Sequence, residues 1–97
     1  MTLHGNPVFE TARLPDGREA RVRVGMAEDS YIPEQQTRTV VLEVRVGRTV
    51  EAVIDTILEP EQEIEARHLA QRVAEGLTSG DLQPTTSSVE RLADEIV

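Results

Sequence analysis

A chain of 97 residues with net charge −8 and no cysteine fits one domain with a modest core and excludes disulfides, thiolate metal sites and cysteine nucleophiles. Only Phe9 and Tyr31 are aromatic, so the core must be aliphatic, and nucleic-acid recognition by stacking has little to build on. Residues 1–48 hold seven Arg against seven acids and residues 49–97 hold three Arg against eleven, so the net charge belongs to the second half.

Met1 to Glu10 has neither a basic segment nor an apolar run, so a signal peptide is not expected, and no stretch reaches the ~20 apolar residues of a membrane span. A cytoplasmic protein is the expectation. One domain should fill residues 1–97, with 1–7 frayed and 79–86 linking two helices.

Val8 to Leu14 reads as a strand of imperfect alternation. Pro15-Asp16-Gly17 is a turn, because proline presets the first corner, aspartate accepts a local backbone bond and glycine admits positive φ. The next strand is better defined, since Ala20, Val22, Val24 and Met26 alternate with Glu19, Arg21, Arg23 and Gly25. Ala27 to Gln36 is a polar connection too long for a tight hairpin, and it carries Tyr31 and Ile32 as candidate partner-binding residues.

Thr39 to Val46 alternates again, with Val40, Leu42, Val44 and Val46 on one face. Val50 to Leu58 fits two templates, helix by spacing and strand by its β-branched content. The strand is preferred. If Gly47-Arg48-Thr49 is a three-residue loop, Val46 faces Val50, Val44 faces Ala52, Leu42 faces Ile54 and Arg45 faces Glu51. Pro60 then suits the first position of a helix.

From Glu61 to Leu77 an apolar stripe of Ala66, Leu69, Ala70, Val73, Ala74 and Leu77 marks a helix packed on the sheet, with Gly80 as its stop. Ser87-Ser88-Val89-Glu90 has capping-box spacing, so a second helix should start there, and Ser87→Ala should cost about 1 kcal/mol. The expected architecture is α+β: two layers, a four-stranded antiparallel meander with one long and one short C-terminal helix on one face (β-β-β-β-α-α).

No motif in the chain names an activity, and no catalytic residue, cofactor or metal is assigned. Glu65-x-x-His68 has the i, i+3 spacing of carboxylate-bridged metal helices, but it occurs once and most such pairs are solvated helix residues. Arg21, Arg23, Arg45 and Arg48 would stand on or beside the open sheet face and could engage an anion, although Glu19, Glu43, Glu51 and Asp55 share that face. Val41, Val53 and Ile57 fall on the same face as a candidate apolar interface.

The run from Thr37-Arg38 through Val46-Gly47-Arg48 to Leu58-Glu59-Pro60-Glu61, followed by the Ala66 to Leu77 helix, resembles a family of small uncharacterised actinobacterial proteins with a sheet-and-helix arrangement similar to the double-stranded-RNA-binding fold. That resemblance implies an α+β sandwich and no established activity. The basic helix and loop clusters used by RNA-binding members of the fold are missing here.

The expected function is therefore a small protein-interaction or regulatory module, not an enzyme, acting through a protein partner or as a homodimer. The alternative is a binder of nucleic acid or another anionic ligand through the arginine-bearing face. A small metal-binding protein or enzyme at Glu65 and His68 comes third.

Overall fold

The computed structural model describes residues 7–26 and 40–96. Four strands, β1 (Val8–Arg13), β2 (Glu19–Met26), β3 (Val40–Val46) and β4 (Thr49–Asp55), precede two helices, α1 (Glu63–Ser79) and α2 (Thr86–Ile96). The strands form one antiparallel sheet in the order β1-β2-β3-β4. The meander and both helices are as the sequence predicts, and Thr49–Asp55 is strand rather than helix.

Alternation decides which face of the sheet is covered. Ala20, Val22 and Val24 of β2, Val40, Leu42 and Val44 of β3, and Ala52 and Ile54 of β4 all point inward and are buried. Helix α1 lays its stripe of Ala66, Leu69, Ala70, Val73, Ala74 and Leu77 over β1 and β2, while α2 places Val89 and Ala93 against β4 and touches α1. The buried core is wholly aliphatic, with no buried polar or charged residue among those described. Alone, a helix as short as α2 is marginal in water, so this docking is what holds it.

Helix α1 stops at Gly80, whose φ of 86° is a left-handed conformation that a side chain would strain. The Gly80 and Leu82 N–H groups both donate to the Gly76 carbonyl, at 3.1 and 3.0 Å. Leu82 thereby folds back over Gly76, where a β-carbon would come within 2.9 Å of the Leu82 Cβ.

The β3–β4 turn departs from expectation. Val46 pairs with Thr49, so the turn has two central residues, Gly47 and Arg48, rather than three. Gly47 has φ of 61° and no non-glycine residue described has positive φ, the signature of a type II′ turn whose twist matches the flanking strands. Tightening the turn while Val44 stays opposite Ala52 leaves one extra residue in β4. The register shifts between Val44 and Arg45: Arg45 faces Val50, and Glu51 is the bulged residue, not the partner of Arg45. Val50, expected to face inward opposite Val46, is 44% exposed.

The exit from β4 is also earlier than predicted. The strand ends at Asp55, and Thr56 closes it, its N–H and hydroxyl both donating to the Val40 carbonyl at 2.9 and 2.8 Å. Pro60 does not open α1; it is buried in a turn in which the Gln62 N–H donates to the Glu59 carbonyl and the Glu59 N–H to Gln62 Oε1. Helix α2 starts one residue ahead of Ser87. Thr85 caps it, since its Oγ1 accepts from the Ser88 N–H at 3.4 Å and its carbonyl from the Val89 N–H at 3.1 Å. As the second residue of the helix rather than its cap, Ser87 takes no part in this closure.

Candidate functional site

The helices cover one face of the sheet, and the other carries the polar halves of the alternating strands. Register places its residues in rows. One row runs Phe9, Arg23, Glu43, Val53; the next runs Thr11, Arg21, Arg45, Val50. On the far side of the first row, Gly25 pairs with Val41 and Val41 with Asp55. Gly25 is a steric requirement there, because a β-carbon would sit 2.7 Å from the Pro7 Cβ.

Two arginines thus lie directly opposite each other, Arg21 on β2 and Arg45 on β3. Like charges so placed repel, and neighbours offset the cost. The Arg21 guanidinium stacks over the Phe9 ring at 5.8 Å from its centroid. Arg45 forms an ion pair with Glu43, two residues back on its own strand. Arg23 turns along the sheet and donates from Nη2 to the Met26 carbonyl at 3.1 Å. Phe9, Arg21, Arg23, Glu43 and Arg45 together enclose a shallow depression of about 190 Å³.

Apolar surface rims this charged centre. Phe9 is 52% exposed and Val53 50%, each at an end of the same row, while Val50 is exposed and Val41 half-buried. No family model, curated protein or solved structure matches this chain.

The structure gathers Arg21, Arg23 and Arg45, as the alternation predicts, and sets Arg48 apart on the exposed β3–β4 turn. It separates the predicted apolar trio. Val41 and Val53 share the open face, but Ile57 lies beyond the end of β4 and lines a crevice with Ile54, Thr56, Glu90, Ala93 and Asp94 at α2. Strand alternation carried past Asp55 sets Ile57 with Val53, but the chain stops being a strand two residues too soon for that. Tyr31 and Ile32 lie outside the described residues.

Glu65 and His68 are both exposed on α1, and no group of three or more His, Cys, Asp or Glu among the described residues could hold a metal ion. No helix among them is long and apolar enough to cross a membrane. Sequence reasoning missed Phe9 and Val50 as surface residues. Phe9 was legible, because its position is odd where Val8 and Ala12 are even. Val50 was not, because its outward turn depends on the bulge.

Proposed function

We propose that this chain is a small cytoplasmic protein-interaction or regulatory module whose working surface is the open sheet face. The observation that supports it is the row ending in the exposed Phe9 and Val53, beside the Arg21–Arg45 pair. Interface cores are enriched in aromatic residues and arginine, and a half-exposed phenylalanine beside a described core with no aromatic is surface that binding would bury. The partner this chemistry fits presents an apolar side chain to the Phe9–Val53 row and a carboxylate to Arg21 and Arg45.

The test is capture from source cells on wild-type protein and on two folded variants, Arg21→Glu with Val53→Asp on the open face and Arg72→Ala on the helix layer. Proteins retained by wild type and the Arg72 variant but lost by the open-face variant support the reading. Equal retention by all three sinks it.

A second reading has its own observation. Arg21 and Arg45 opposite each other in the sheet, with Arg23 in the next row and Arg48 on the adjoining turn, suit a phosphate or another multivalent anion, nucleic acid included. Such binding would show as a gel shift with generic DNA or RNA that weakens steeply with salt. The leading reading expects no shift.

A further inference from the structure

The two edges of the sheet are built differently. Strand β4 is interrupted by the Glu51 bulge, a device that discourages another strand from pairing with an edge. The other edge, β1, runs Val8–Arg13 in unbroken register, with no bulge, no lysine and no internal proline. An edge with no bulge is a ready template for a further strand.

Hydrogen bonding at the first hairpin shows which groups β1 leaves outward. The Leu14 N–H donates to the Arg18 carbonyl at 2.8 Å and the Leu14 carbonyl accepts from the Gly17 N–H at 2.9 Å, so Leu14 faces β2. By antiparallel alternation Ala12, Glu10 and Val8 face β2 as well. The N–H and C=O groups of Phe9, Thr11 and Arg13 therefore point away from the sheet. No turn or loop backbone bond among the described residues reaches them.

We propose that β1 pairs with β1 of a second copy of this chain, antiparallel, with the two-fold axis at Thr11. Only this register uses all three outward residues on both strands, Thr11 with Thr11 and Phe9 with Arg13 in both directions. The sequence is self-complementary in this frame. On the open face each Phe9 ring lies opposite an arginine of the other copy, a cation–π pair, and the two threonines meet at the axis. Each ring already takes Arg21 and is still half-exposed, which leaves surface for the incoming Arg13. Among the described residues Arg13 makes one long contact, 3.5 Å to the Gly17 carbonyl.

On the helix side Val8 meets Leu14, and Glu10 meets Ala12 rather than its own copy. Shifting the axis to Glu10 would set two carboxylates face to face, and shifting it to Ala12 would leave both Phe9 rings without a partner. A groove of about 660 Å³ beside this edge, lined by Glu10, Thr11, Gln71, Ala74, Glu75 and Thr78, leaves room for the second copy's strand to approach past α1. The product is one eight-stranded sheet whose open faces are continuous. This specifies the self-association half of the interaction reading, and its failure leaves partner capture by the Arg21–Val53 surface untouched.

Sedimentation velocity on the full chain, from about 10 to about 500 µM, covers the affinity expected of a small interface. Wild type should shift from monomer to dimer across this range. Thr11→Pro removes an outward N–H and no β1–β2 bond, so it should abolish the dimer while circular dichroism keeps its native form. Phe9→Arg, which sets arginine opposite Arg13, should weaken the dimer at least about tenfold, and Phe9→Glu should retain it.

Because the chain has no cysteine, Thr11→Cys provides a direct register test. Opposed residues at that spacing fall within disulfide reach, so mild oxidation should give a covalent dimer for Thr11→Cys and none for Val53→Cys. A wild-type monomer throughout the range overturns the proposal. So does a dimer that survives Phe9→Arg, or one cross-linked through Val53 and not Thr11. Should Thr11→Pro fail to fold, the Phe9 pair and the cysteine variants decide.

Discussion

Arg21 and Arg45 face each other across β2 and β3, and each is answered by a different neighbour: Arg21 by the Phe9 ring, Arg45 by the Glu43 carboxylate. Cross-strand pairs of like charge are unfavourable, so the surrounding residues set the cost of this one. Removing the carboxylate should expose it. Glu43→Gln is expected to destabilise the domain by about 0.5 kcal/mol at low salt, less at high salt, because the Arg45 side chain is half-exposed and the pair is partly screened. Urea denaturation at two ionic strengths measures it, and an equal loss at both would count against an electrostatic origin.

Gly76 offers a prediction of sign. In an ordinary helix interior Gly→Ala stabilises by roughly 0.5–1 kcal/mol through lower chain entropy. Here the new β-carbon would lie 2.9 Å from the Leu82 Cβ, held close by the Leu82 N–H bond to the Gly76 carbonyl. Gly76→Ala should therefore lower the thermal midpoint rather than raise it, by the equivalent of about 1 kcal/mol of overpacking.

The N-terminus of α2 separates two hydroxyls that look alike in sequence. Thr85→Ala removes the oxygen that accepts from the Ser88 N–H and should cost about 1 kcal/mol. Ser87→Ala, inside the helix and exposed, should cost almost nothing or stabilise slightly. Chemical denaturation of both variants side by side decides which residue is the cap.

Asp16 accepts from the Arg18 backbone N–H at 3.0 Å through one oxygen and from Arg18 Nε at 2.6 Å through the other. The backbone bond first, and the side-chain bond second, hold its carboxyl below the usual aspartate range. A carboxyl depressed in the folded state stabilises the fold above its unfolded value, near pH 3.9, and that contribution disappears as pH falls through the folded value. A carbon-detected NMR titration should place Asp16 below an unperturbed aspartate. Arg18→Ala should move it only part of the way back, because the backbone N–H remains.

The order of elements is legible in the sequence. Alternation in Glu19–Met26 and Val40–Val46 and the helical stripe from Ala66 to Leu77 need no tertiary knowledge, because each pattern is the period of its own backbone. The stop at Gly80 is equally local, since only a left-handed position calls for glycine there. Arg21, Arg23 and Arg45 could be assigned to one face for the same reason.

How neighbouring elements meet is set by contacts between residues distant in the chain. Whether Gly47 starts a two- or a three-residue turn depends on strand twist, and that choice bulges Glu51, turns Val50 outward and sets Val50 opposite Arg45. Where β4 ends depends on Thr56 reaching the Val40 carbonyl, a bond between residues far apart in sequence, and it moves Ile57 from the open face to the α2 crevice. Faces follow from backbone period; registers and ends follow from partners that the sequence around them does not name.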